Sequence, residues 1–408
     1  MSASARYLRS LLLSTLLLLG VVAIFNALVD PYGVFRLINR DGFNRIKSQA
    51  GQRAEMFKRH GAERIRPNAL ILGNSRAEIG FDPQSPAWPE TTRPIFNLAL
   101  PGKGVYSALD EFTRVLSHTT PKLVVVGLDF LDFRVDPTAQ DDQVSERADR
   151  LGWLRERVFA LFTINALADS LATLKAQYES YPTSLRDDGF NPMRDYVGIA
   201  RREGYYTMFR QRDQENGKAY ARGSKSIYLP DGRPSPEFRA VERIIAIAGG
   251  AGIQIRFVIY PVHAHTLVLL HKAGLWPAFE EWKRELVKRM DGARSGMNVE
   301  LWDFSGFSPY ADESVPLPSD TTSEMRWYWE AGHFKKSLGD ALLARIFDGQ
   351  AEHPQWGRPL TAGNTEEHLQ RQRVARDEYE NMHASEVADL AGLVPPTGPG
   401  FGSSHNPR

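Results

Sequence analysis

Three short stretches carry the residue types that chemistry needs. Gly73-Asn74-Ser75-Arg76 follows the apolar run Ala69-Leu70-Ile71-Leu72. A serine on the turn from a strand into a helix is exposed at the carboxyl edge of a sheet, where backbone N–H groups can meet a developing oxyanion. Asn and Ser are also ordinary helix N-caps, so capping accounts for the same letters. Glu330-Ala331-Gly332-His333-Phe334 lies after the last strand and before the last core helix. An acid three residues before a histidine on a loop can hold one imidazole nitrogen, leaving the other to take a proton from a hydroxyl. His263-Ala264-His265 ends the fourth strand, and both imidazoles could point one way, as two metal ligands would. No third ligand follows at a fitting spacing. The pair, with Arg76, therefore reads as the polar rim of a cleft, and neither a metal nor another cofactor is expected.

These residues need a scaffold that brings distant segments to one edge. Ala69–Leu72, Ile95-Phe96-Asn97-Leu98-Ala99-Leu100 and Leu123–Leu128 are continuous apolar runs, as strands buried on both faces would be. Between them Val105, Leu109, Phe112 and Leu116 recur at helical spacing. The alternation resumes with a helix from Ser235-Pro236, a strand over 253–260, a helix over 279–290, a strand Val299-Glu300-Leu301-Trp302 and a helix after His333. Strands alternating with helices predict a doubly wound α/β domain over 67–350, with a parallel sheet covered on both faces. An insertion over 137–234 interrupts it, with a helix over 154–178 and then a loop rich in Tyr, Arg and Gly. Insertions of this size usually lie over the carboxyl edge, where ligands bind. Its Tyr178, Tyr181, Phe190, Tyr196, Tyr205, Tyr206 and Phe209 suit sugar stacking or packing within a lid. Residues 351–408 read as peripheral, with a charged helix over 365–391 and a Pro- and Gly-rich end.

Nucleophile after the first strand, acid-x-x-His after the last, and an α/β sheet between them resemble the SGNH (GDSL-like) hydrolase superfamily. The resemblance covers about 67–136 and 235–347, and implies that superfamily's three-layer sandwich. Gly73-Asn74-Ser75-Arg76, Phe96-Asn97-Leu98-Ala99-Leu100-Pro101-Gly102, Val124–Phe130 and the His333-Phe334 block resemble membrane-anchored SGNH-like proteins of bacterial envelopes. Several of those belong to polysaccharide O-acetylation and export systems. The resemblance implies Ser75 as nucleophile, His333 as general base and Glu330 in the place usually held by aspartate. It implies Gly102 as a backbone oxyanion donor. The third block, usually Gly-x-Asn, is Gly127-Leu128-Asp129 here. Asp129 is then protonated, or turned away, or Asn74 supplies the missing donor, or the site is weak. Capping of the loop is the alternative role for Asp129 and Asp132.

The chain has 408 residues, 50 basic and 49 acidic side chains, and a net charge of +1. That balance argues against a nucleic-acid partner. With no cysteine, disulfides, Cys-ligated zinc, iron–sulfur clusters and thiol nucleophiles are excluded. A mean hydropathy of −0.36 excludes a polytopic membrane protein, yet no charged residue lies between Ser10 and Val29. About twenty apolar residues cross a ~30 Å hydrocarbon core, whereas a cleaved signal peptide has an apolar region of ~7–15 residues. The expected organisation is a cytoplasmic tail (1–9), a single-pass signal-anchor (10–29), a solvated Arg-rich stalk (30–66) helical around 51–60, and a domain on the far side of a bacterial inner membrane. Basic residues flank both ends of the span, so their count does not fix the orientation, and a cytoplasm-facing domain stays open. The expected activity is a serine esterase or O-acyltransferase on acetyl esters of an envelope polysaccharide. The alternative is a non-catalytic tethered protein that binds polysaccharide or scaffolds an export complex.

Overall fold

The computed structural model describes residues 3–135, 152–294, 298–350 and 352–396. They divide between two compact units, one made of 1–66 and 143–198, the other of 67–142 and 199–408. The start of the expected insertion and the Pro- and Gly-rich end from 397 lie outside the described residues.

The first unit opens with α1 (Ala3–Val29), a helix long and apolar enough to span a membrane. The polar segment behind it is not a solvated spacer. The last carbonyls of a helix have no partner within it. Here the Asn44 amide donates to the carbonyls of Leu28 at 2.9 Å and Val29 at 3.2 Å, and the Lys47 ammonium donates to Val29 at 3.0 Å. Asp30 accepts the N–H groups of Val34 and Arg36, each at 2.8 Å. Asp30, Asn44 and Lys47 are buried. Polar side chains that read as stalk thus fold the chain back over the end of α1, and α2 (Ala54–Ile65) follows.

The second unit begins with β1 (Ala69–Leu72), α3 (Ser75–Gly80), β2 (Ile95–Asn97), α4 (Val105–Leu116) and β3 (Leu123–Leu128). The chain returns to the first unit for α5 (Gly152–Phe162) and α6 (Ile164–Ala176), which replace the single helix expected over 154–178 and meet at a 67° bend. Next comes α7 (Arg194–Ala221), where a loop was expected. Its Arg, Glu, Gln and Ala content is helix-forming, and Gly204, at φ 74 and ψ 158, is a non-helical joint that divides it into two helical stretches. The α/β pattern then resumes with α8 (Glu237–Gly250), β4 (Gln254–Ile259), α9 (Ala264–Lys272), α10 (Trp276–Arg294) and β5 (Val299–Asp303). A hairpin of β6 (Tyr328–Glu330) and β7 (His333–Phe334) precedes α11 (Lys336–Asp348), β8 (Arg358–Pro359), α12 (Thr365–Met382) and α13 (Ala384–Ala391). The tail is less peripheral than its charge suggests: β8 pairs with β5, and α12 buries His368, Leu369 and Gln372.

The six-stranded sheet has the order β2-β1-β3-β4-β5-β8, parallel throughout except for β8. Every residue of β1 and β3 is buried, as their uninterrupted apolar runs require. The chain crosses from β1 to β2 on one side of it, then from β2 back past β1 to β3 on the other. Such a reversal opens a crevice outside the carboxyl ends of the two strands. Ser75 and Asp129 follow β1 and β3, so both sit at that crevice.

Helix α3 is held against α11 and β7 by two glycines. A Cβ on Gly80 would come within 1.9 Å of the Phe334 ring, and one on Gly339 within 1.8 Å of the Gly80 carbonyl oxygen. The second clash is with backbone, which no rotamer relieves. Gly339→Ala is therefore expected to destabilise the protein by about 3 kcal/mol, in the upper range for overpacking. The measurement is the urea midpoint. Gly292→Ala, on α10 with nothing within 4 Å, is the control and leaves the midpoint unchanged or slightly higher.

Candidate active site

Ser75 is the first residue of α3, and Asn74 is its N-cap. The Asn74 side-chain oxygen accepts the Arg76 N–H at 3.1 Å, which leaves the Ser75 hydroxyl free of the capping role. The turn into the helix is tight: Gly73 has φ 141, and a Cβ there would meet the Tyr260 hydroxyl at 2.3 Å. A Cβ on Gly127, near the end of β3, would meet the same hydroxyl at 1.9 Å. Tyr260 thus fills the space between two strand ends that only glycines leave open. It is buried, and burial raises its hydroxyl well above the ordinary range, so it stays protonated.

The partner of Ser75 comes from 258 residues downstream. Ser75 Oγ and His333 Nε2 lie 2.8 Å apart. His333 Nδ1 is hydrogen-bonded to Glu330 Oε1. The acid and the imidazole are not on a loop: they face each other across the β6–β7 hairpin, with Ala331-Gly332 as its turn. The turn is fixed by Thr266, whose hydroxyl donates to the Ala331 carbonyl at 2.7 Å, and by Arg76, whose Nε donates to the Gly332 carbonyl at 2.7 Å.

Glu330 is buried, and its second oxygen accepts the Gly332 N–H at 2.7 Å and Arg212 Nε at 3.0 Å. Burial alone would raise this carboxyl. His333, Arg212 and the Gly332 N–H together outweigh burial and hold it down at about 2. Glu330 is consequently ionised throughout the neutral range. A buried anion with a fixed cation behind it can orient an imidazole and stabilise its protonated form.

Asp129 is fully engaged. Its Oδ1 accepts the Leu131 N–H at 3.1 Å, capping the short 3-10 turn Phe130–Phe133, and its Oδ2 accepts from Asn74 Nδ2 at 3.2 Å. The same oxygen forms an ion pair with Arg76 Nη1. The guanidinium offsets the carboxylate's charge, and with it the repulsion an isolated aspartate would exert on an oxyanion. Gly102, at φ 68, lies in the exposed turn after β2, with open space where a Cβ would be. Asp132, one turn beyond Asp129, is pushed up to about 7 by burial and by Glu237, against Arg76.

The histidines expected at the rim are buried instead. His263 caps α9, its Nδ1 accepting the His265 N–H at 3.2 Å, and its Nε2 lies 2.8 Å from the Glu313 carbonyl. His265 Nδ1 lies 2.8 Å from Asp213 Oδ2, and Nε2 lies 3.6 Å from Glu386 Oε1. Burial works against its charge, but the two carboxylates raise it to about 9. Burial, followed by that neighbouring cation, lowers His263 to about 3. One imidazole is a buried cation and the other neutral, both saturated by protein groups. Among the described residues, no His, Asp or Glu cluster could hold a metal ion.

Two important residues escape a reading of the sequence. Arg212 sits in α7, 118 residues before Glu330, and no spacing links them. Tyr260 left a trace: glycines at the ends of β1 and β3 signal that something large approaches both. No protein-family model matches this chain, and no curated protein matches it either.

Proposed function

We propose that this chain is a membrane-anchored, SGNH-like serine esterase or O-acyltransferase. The observation that carries the reading is the relay from Ser75 Oγ through His333, 2.8 Å away, to the buried, Arg212-backed carboxylate of Glu330. Ser75 Oγ attacks the acyl carbon as its proton passes to His333 Nε2. Glu330 keeps the Nδ1 proton in place and stabilises the imidazolium. The departing alkoxide takes the proton from Nε2, leaving an acyl-serine. Water then completes hydrolysis, or a sugar hydroxyl completes transfer, each giving up its proton to His333, which passes it to Ser75 Oγ as the bond from that oxygen to the acyl carbon breaks. The Ser75 N–H and the backbone at Gly102 are the oxyanion donors in this scheme. Acetyl esters of an envelope polysaccharide, and a domain facing the periplasm or outer surface of a bacterial inner membrane, follow from the sequence resemblance, as do partners among export proteins.

Covalent trapping tests this reading. A fluorophosphonate probe is expected to phosphonylate Ser75 in the full chain, with the adduct located by peptide mass spectrometry, and to spare His333→Ala. A folded protein that neither takes up the probe nor turns over p-nitrophenyl acetate or an acetylated glycan favours the non-catalytic reading. The Asp129 that replaces the usual asparagine is the feature pointing that way.

A further inference from the structure

The segment that leaves the α/β pattern and returns to the first unit carries an apolar surface the proposed chemistry does not use. On α5 and α6, Leu154, Val158, Phe162, Ile164 and Leu171 are exposed, with Ile164, at the bend, 85% exposed. The two helices together are apolar enough to meet the criterion for a membrane segment, but they are bent by 67°. They pack against the end of α1: Asn26, buried in the last two turns of that helix, donates to the Leu161 carbonyl at 2.9 Å and accepts from the Ser170 hydroxyl at 2.9 Å.

We infer that the elbow between α5 and α6 is seated in the same bilayer as α1, as a re-entrant wedge in the leaflet where α1 ends. Three observations carry this. The first is continuity: Asn26 lies within the apolar span of α1, so a bend hydrogen-bonded to it lies at that depth, and both α1 and the elbow expose large apolar side chains. The second is how the break is treated. A helix interrupted in hydrocarbon must satisfy the backbone groups it frees, whereas one in water need not. The Thr163 hydroxyl donates to the Phe159 carbonyl at 2.8 Å and accepts the Ala166 N–H at 3.1 Å, and Asn26 covers Leu161.

The third is the order of charges. From Val158 to Ala172 the only charged residue is Asp169, whose carboxylate accepts the Tyr32 hydroxyl at 2.5 Å. Arg155 and Arg157 lie at the far end of α5 and Lys175 at the far end of α6. From Arg157 to the bend is about 8 Å of helix, within the ~5–10 Å that interfacial helices penetrate. The Arg157 guanidinium stands 5.0 Å from the centre of the Trp153 ring, an amphipathic pairing suited to the headgroup level. The wedge fixes the first unit to the surface at a second point beside α1.

The absence of cysteine makes the test direct, since single cysteines need no background removed. Ile164→Cys, Leu171→Cys and Met382→Cys, all at exposed positions, are made in the full chain. Each is labelled with an environment-sensitive fluorophore and reconstituted into phosphatidylcholine–phosphatidylglycerol vesicles. At Ile164 and Leu171, nitroxide lipids labelled near the headgroup are expected to quench strongly, and iodide at least tenfold less than at Met382. Equal iodide quenching at Ile164 and Met382 overturns the inference. So does protection of Ile164 from both quenchers, which marks a second copy or another protein over the elbow. Flotation with the vesicles reads α1 separately: a chain that does not float removes both the anchor and the wedge, and one that floats with an aqueous Ile164 removes the wedge alone.

Discussion

Ser75→Ala is expected to lower turnover of p-nitrophenyl acetate by about 10⁴–10⁶-fold, with a melting temperature close to that of the parent, and Glu330→Gln by about 10⁴-fold. The serine variant loses the nucleophile but not the start of its helix, because Asn74 performs the capping. The glutamine variant is more informative. Glutamine keeps the shape of Glu330 and can still accept the Gly332 N–H. If its amide nitrogen faces His333 Nδ1, it donates where the carboxylate accepted. The imidazole is then held in the tautomer with its proton on Nε2, the atom 2.8 Å from Ser75 Oγ that has to receive one. The Arg212 guanidinium also loses the anion it pairs with, though not Glu215 at 2.8 Å. Ser75→Ala with Glu330→Gln is expected to be no slower than Ser75→Ala alone, because the three side chains act as one unit. Glu330, held at about 2, does not titrate above pH 4, so the acid limb of the wild-type rate profile belongs to another group. Multiplying losses in the double variant would contradict the relay.

The elements that could be read from the sequence are those whose signal is local. Leu123–Leu128 is a six-residue apolar run, and the structure makes it a fully buried strand. The serine stretch follows a strand of the parallel sheet and the acid-x-x-His stretch carries its own pairing, so a separation of 258 residues did not hide the contact, although the hairpin that holds His333 lies outside that sheet. What stayed hidden depends on partners chosen in three dimensions. Asp30, Asn44 and Lys47 look like any solvated spacer until their polar atoms are seen to cover the end of α1 and the turn after it. His263 and His265 have the alternation of an exposed polar edge, yet Asp213 and Glu386, from two other helices, make His265 a buried cation. The aromatic- and arginine-rich stretch reads as a loop, and its Gly204 does interrupt the helix, but the residues on either side of it are helical. As helix α7 it delivers Arg212 to the back of Glu330.

The same reasoning applies to α12, and it predicts the largest effect on stability. Lys283, on α10, is completely buried, with its ammonium 2.8 Å from Asp303 Oδ2 and 2.6 Å from Gln372 Oε1. Asp303 ends β5, and its Oδ2 also lies 2.8 Å from His368 Nε2 on α12. Gln372 donates onward to the Ser305 carbonyl at 2.7 Å. Burial opposes the charge on Asp303, but Lys283 and His368 overcome it and hold the carboxyl far below the usual range. Removing one member of a buried ion pair leaves the other charge without compensation, at about 3–5 kcal/mol. Lys283→Met, similar in shape, is expected to lose that much in urea titrations. Adding Asp303→Asn should restore more than half of the loss, since the stranded charge, rather than the missing methylene contacts, dominates it. Lys283 helps to hold the Asp303 carboxyl below its unfolded value, a contribution present above that value and lost as the pH falls, so the deficit of the single variant shrinks on acidification. A pH-independent deficit, or no recovery in the double variant, would mean that packing, not charge, ties α12 to the sheet.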